Sequence, residues 1–269
     1  MVAIVRIFVA VLICCGSAAA AAEADLYQAK VTVTGQGEAN RMAGFAVCLE
    51  DVLIKLSGAQ KVAGDRRLKA YQSDAKSFVA SFSYRDQFFG KPIRDEQGTR
   101  DRPYDLTVNF EKSKIDDLLA KLGLKPWLVR RPTLAVFAAM EQGARKHIVT
   151  MDEKAVDLQR DALFAAADRR GMSIMLPDAA ALARSHVTAE KLEPATLAPL
   201  AAEQNAEVAL IGRLVWDDRQ LGWATQWQMA WGGRVHRWQL RGVTFDEAFR
   251  RGVGGAAQVL SGNGDPDGP

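Results

Sequence analysis

Three consecutive runs near the end of the chain, residues 207–216, 221–231 and 234–241, constrain its fold more than any other feature. They read as three strands with tight connections at Asp217-Asp218 and Gly232-Gly233. Strands joined this closely pair antiparallel, because a parallel return needs a crossover of a dozen or more residues. Five of the six tryptophans fall between Trp216 and Trp238. In the middle run Leu221, Trp223, Thr225, Trp227, Met229 and Trp231 share one parity, and hence one face of the sheet. So large an aromatic face either packs against another element or meets a ligand.

The nearest candidate cover is the next segment. Thr244 and Glu247 have capping-box spacing, and Phe245, Ala248, Phe249, Val253, Ala256, Ala257 and Leu260 fall on one helical face. Upstream, residues 133–141 alternate and are apolar, and Gly143 turns the chain into a returning strand at 146–151. Thr150 and Glu153 again suggest a capping box, opening a helix that runs to about residue 170. A short buried strand at 173–176 and one or two helices at 178–202 complete a mixed sheet packed by helices.

The first half reads as a β-α-α-β-β-α unit. Residues 26–34 form a strand, and Met42, Phe45, Ala46, Leu49, Val52, Leu53 and Leu56 mark a helix stopped by Ser57-Gly58. A second helix over about 65–80 shows Leu68, Tyr71, Ala75, Phe78 and Val79 on one side. Strands at 81–89 and 104–111, joined by a polar loop, and a helix at 113–122 follow. Residues 125–132 carry two prolines and no periodicity. The expectation is an α+β chain of two small domains, 23–125 and 133–262, with a linker at 126–132 and a disordered tail at 263–269.

Residues 1–22 read as a secretory leader: Arg6, an uninterrupted apolar run over 7–15, and a small-residue tract at 17–22. An uncleaved anchor and lipidation at Cys15 are the alternatives; Cys14 poorly fills the place where lipidation wants Gly, Ala or Ser. Cleavage leaves 247 of 269 residues, a charge of +2 rather than +3, and Cys48 as the remaining cysteine. One thiol forms no internal disulfide, so the fold stands on its apolar core. The composition, 48% hydrophobic and 25% charged, excludes disordered and multi-span membrane classes.

Motifs for chemistry are lacking. The sequence contains no His-Glu-x-x-His, Cys-x-x-Cys, Gly-x-Ser-x-Gly or phosphate-loop pattern. Gly35-Gln36-Gly37 is half of a dinucleotide fingerprint, but Asn40 stands where the third glycine belongs. His147, His186 and His236 lie in different elements, so no metal and no cofactor is expected. Glu50-Asp51 and Asp116-Asp117 are adjacent on helices and do not face each other. Seven arginines (213, 219, 234, 237, 241, 250, 251) face four acids over residues 213–251, a mild positive excess. The candidate binding residues are therefore Trp223, Trp227, Trp231, Arg234 and Arg237.

The chain also resembles a family of secreted proteobacterial proteins called domain of unknown function 2066. The resemblance is carried by the leader followed by Leu26-Tyr27-Gln28-Ala29-Lys30-Val31, the helix from Ala46 through Ser57-Gly58, and Leu122-Gly123-Leu124-Lys125-Pro126-Trp127 with Arg131-Pro132. Val208-Ala209-Leu210-Ile211-Gly212-Arg213-Leu214, leading to Trp223 and Trp227, completes it. It implies an envelope protein and supplies no catalytic residues. Two functions remain open: a periplasmic, non-enzymatic interaction protein supporting envelope assembly or maintenance through a protein partner, or a module binding cell-wall glycan or anionic lipid through the tryptophan face. An unrecognised hydrolase is a third option, and export argues against nucleic acid.

Overall fold

The computed structural model describes residues 26–90 and 102–267. The leader, with its cleavage and lipidation alternatives, and most of the loop before Pro103 lie outside the described residues. Those up to Leu56 and from Val62 to Leu128 form one compact unit, and Ser57–Lys61 with those from Val129 onward form a second. The architecture is α+β.

In the first unit β1 (Gln28–Thr34), β2 (Val79–Asp86) and β3 (Pro103–Phe110) make an antiparallel sheet in the order β1-β3-β2. Helix α1 (Glu38–Ser57) lies on one face. Gly44 lets it approach closely, since a Cβ there would come 2.6 Å from Leu106 and 3.0 Å from Val33. Beside it Phe45 meets Phe82 edge to face at 5.3 Å, and Leu49, Val52, Leu53 and Leu56 are fully buried. The expected second helix is broken. Helix α2 (Leu68–Ser73) ends before a 3-10 turn at Ala75–Phe78. Ser73 Oγ donates to Ala70 O and Ser77 Oγ to Asp74 O, so short polar side chains compete with the helical ladder there. Helix α3 (Lys112–Lys121) buries Ile115, Leu118 and Leu119, and its Asp116 accepts a hydrogen bond from the buried Tyr27 hydroxyl at 2.7 Å.

The second unit is built on a mixed sheet. It comprises β4 (Leu134–Gln142), β5 (Arg145–Ile148), β6 (Ile174–Met175), β7 (Val208–Asp217), β8 (Gly222–Trp231) and β9 (Arg234–Val243). The order is β5-β4-β7-β8-β9, with β6 also on β4; β4 pairs β7 and β6 in parallel, and the rest pair antiparallel. Residues 134–140 of β4 are all buried, as in a central strand covered on both faces. Helices α5 (Ala179–Arg184) and α6 (Pro194–Glu203) supply Ala181, Leu182, Leu197 and Leu200 to a core with Phe137 and Ile211. Helices α4 (Asp157–Asp168) and α7 (Phe245–Leu260) pack on each other, and α7 packs on β7, β8 and β9.

Helix α7 carries Gly252, Gly254 and Gly255 in its interior, each about 1 kcal/mol less favourable than alanine there. Close packing explains them. A Cβ at Gly252 would sit 2.4 Å from Trp227, one at Gly255 2.6 Å from Trp238, and one at Gly254 2.0 Å from Gln60. Gly212 on β7 does the same from the sheet side, 2.4 Å from the Trp227 ring. The indole of Trp227 thus lies in a slot between two glycines. Gln60 in turn accepts from the buried Arg170 guanidinium at 2.9 and 3.1 Å.

One further expectation needs correction. Thr244 does cap α7, accepting from Glu247 N at 3.2 Å, but Thr150 does not open a helix. It is buried, the chain continues through a 3-10 turn at Lys154–Val156, and α4 begins at Asp157. The segment after α7 is described through Asp267 and carries hydrogen bonds to the rest of the unit. Asn263 donates to Ser57 O at 2.8 Å, Gln258 to Asp265 O at 3.0 Å, and Gln239 N to Asp267 at 3.1 Å.

Candidate functional site

Because successive residues of a strand point to opposite faces, the meander has two characters. On the α7 side stand Trp223, Thr225, Trp227 and Met229 of β8 with His236 and Trp238 of β9, all buried. Trp227 is 1% exposed and Trp223 7% exposed. Phe249 of α7 meets Trp227 edge to face, and Trp216 meets Trp223 likewise. Trp223 and Trp227 are therefore core residues, not a ligand surface, because the C-terminal helix lies on them. Trp231, 39% exposed, and Arg234 pair across the hairpin end, where Arg234 approaches Asp265 at 3.4 Å. Arg237 points to the opposite face and is exposed.

That opposite face is the candidate site. Register places Ile211, Arg213 and Val215 of β7 beside Gln228, Gln226 and Ala224 of β8. Gln228 and Gln226 stand beside Arg237 and Gln239 of β9, and Arg241 follows at the same parity. The pairing shifts between Trp223 and Thr225, and Gly242 there takes a positive φ of 66°, which gives the extra residue a low-cost conformation. The result is three strands by three rows, about 10 Å across at 4.8 Å per strand. Its central row, Arg213–Gln226–Gln239, is exposed along its length.

Helices α5 and α6 cover the β4 side of this face and stop at Ile211. Their connecting segment supplies Ala189, Glu190, Leu192 and Glu193 as one wall of a groove of about 520 Å³, and Asp267 stands at its other end. A second hollow of about 300 Å³ shares Arg213, Gln226 and Gln239 and reaches Val215, Ala224 and Arg241. The first volume falls within the range of small-molecule sites. Ion pairs steady the wall: Glu190 to Lys146 at 3.5 Å, Lys146 to Glu141 at 3.3 Å, and Glu141 to Arg213 at 3.3 Å. The Glu190 carboxyl is held below the usual range by its own backbone N–H and the Thr188 hydroxyl. Among the described residues Arg237 and Arg241 have no ion-pair partner; Arg237 lines the groove and Arg241 the second hollow, with their donors available.

Of the candidate binding residues Arg237 lies on this face, away from the buried tryptophans; Arg213 and Arg241 entered only as charge, and Gln226, Gln228 and Gln239 were missed. The usable signal was the second parity of the same strands, polar where the first was aromatic. Among the described residues no group of three His, Cys, Asp or Glu side chains is placed to hold a metal ion, and no helix is long and apolar enough to cross a membrane.

Comparison with known proteins corrects the expected resemblance to domain of unknown function 2066. The segments that suggested it, among them the helix ending in Ser57-Gly58 and the Pro126-Trp127 connection, are short, and each alone is only moderately specific. No curated protein matches the chain. Residues 20–128, less than half of its length, match a different family, described as Domain of unknown function (DUF8605).

Proposed function

We propose that the protein is a non-enzymatic, saccharide-binding module of the bacterial periplasm, and that it binds through the polar face of β7, β8 and β9. The observation that supports this reading is the three-by-three face itself: amide or guanidinium side chains at six of its nine positions on rigid strands, left open by helices that cover the rest of the sheet. Planar polar groups of this kind offer paired donors and acceptors to vicinal hydroxyls and donor forks to carboxylates. The strands fix their spacing, which lowers the cost of ordering them on binding. The leader read from the sequence supports an envelope location, where glycan strands are the abundant saccharide.

The test is recovery of the protein on isolated cell-wall material. An Arg213→Ala, Gln226→Ala double variant should lose at least about tenfold in affinity, since each lost hydrogen bond to ligand contributes about 1 kcal/mol. Trp231→Ala, at the hairpin end, should change it little. Equal recovery of all three proteins overturns the reading.

A further inference from the structure

Strand β9 is the outer strand of its sheet, and the segment following α7 is drawn against it. Asp265 contacts the Nδ1 of His236, a ring only 6% exposed, and the Arg234 guanidinium stands 3.4 Å from the same carboxylate. Arg234 Nε lies 3.3 Å from His236 Nε2, so this residue touches both the ring and its acidic partner. Asp267 accepts the outward N–H of Gln239 at 3.1 Å. Two carboxylates, two residues apart, thus sit on a cationic strand edge. A hollow of about 310 Å³ lies there, lined by Arg234, Val235, His236, Arg237, Asp265 and Asp267. It meets the groove at Arg237 and Asp267, which line both.

The hold on this segment is polar throughout. No residue from Ser261 to Asp267 is buried, and the contacts that fix it come from Gln258, Asn263, Ser261, Arg234, His236 and Gln239. A segment without buried apolar contacts is among the first parts of a fold to open. Its tether nevertheless keeps its carboxylates at millimolar effective concentration beside the edge.

We propose that the edge of β9 is a carboxylate subsite of the groove, occupied here by Asp265 and Asp267 in place of the carboxylates of an acidic saccharide that displaces them. The inference rests on the saccharide reading above and narrows its ligand from hydroxyl-rich to carboxylate-bearing.

The His236 ring resonances report occupancy directly. Sodium acetate and acetamide, at matched ionic strength, would be titrated into the full chain, the D265N/D267N variant and a chain ending at Asn263. Acetate should shift His236 saturably, with half-saturation at least about tenfold lower in both altered proteins, and acetamide should not. Adding Arg234→Gln to the D265N/D267N variant should abolish the gain. A uronic-acid oligosaccharide should show the same tenfold gain, and its carboxyl-reduced form none. An acetate response equal in all three proteins, or absent from all, overturns the subsite. If acetate gains while neither oligosaccharide binds, the saccharide reading falls and the subsite stands. If an acidic peptide gains in place of the oligosaccharide, the saccharide assignment is likewise overturned.

Discussion

Replacing Gly252 by alanine sets two known effects against each other. In an unhindered helix interior the change stabilises by about 0.8–1.0 kcal/mol. Here the new Cβ would stand 2.4 Å from Cε2 and 2.5 Å from Cζ2 of Trp227, where carbon contacts ordinarily begin near 3.5 Å. The ring must retreat by about 1 Å, and Gly212 closes the other side of its slot. Overpacking of this kind costs about 1–3 kcal/mol, and a rigid indole enclosed on both sides belongs at the upper end. The net expectation is a loss of about 2 kcal/mol. Urea unfolding followed by tryptophan emission, which reports chiefly on residues 216–238, should show a midpoint lower by about 1 M at unchanged slope. In a Trp227→Phe background, where the ring is smaller, the same glycine change should cost little or become stabilising. A higher midpoint for Gly252→Ala alone, or an equal cost in both backgrounds, refutes the slot argument.

The two threonines of the expected capping boxes should behave oppositely. Thr244→Ala should lower stability by about 1 kcal/mol, because its hydroxyl oxygen takes the Glu247 N–H. Thr150→Val should leave stability unchanged or raise it, because that buried hydroxyl has no partner among the described residues; both follow from equilibrium unfolding. Burial, reinforced by the hydrogen bond to Asp116, pushes the Tyr27 phenol up to about 12. The unfolded phenol ionises near 10, so the stability this group contributes is complete below pH 10 and is lost as pH rises toward 12. Tyr27→Phe should flatten that decline in unfolding curves measured across the interval, and an unchanged decline would contradict the assignment.

Period and turn chemistry made most of the fold legible. The Gly232-Gly233 hairpin, the Thr244 cap and the seven apolar positions of α1 each follow from local rules that tertiary packing did not overrule. The second helix of the first unit was not legible to its end. Leu68, Tyr71, Ala75 and Phe78 keep helical spacing, yet the serines at 73 and 77 turn back on the backbone and end the helix early. The tail's contacts were not legible either: its composition is that of a loop, while its hydrogen bonds reach partners as far away in sequence as Ser57. The candidate site suffered from a related ambiguity. Alternation identified the aromatic face, but a strand pattern does not say which face the next helix will cover. Gly252 and Gly255 of α7 held that information: two small residues three apart in a helix interior mark the side on which large rings lie.

The second unit takes Ser57–Lys61 from a part of the chain that otherwise belongs to the first. Gln60, which receives the Arg170 guanidinium and lies on the bare backbone of Gly254, is among these five residues. A gene of this design has no single point at which recombination could exchange one half and leave the other whole. During synthesis the ribosome delivers this short stretch long before the sheet it will join, and the last helix must arrive before the glutamine finds its seat.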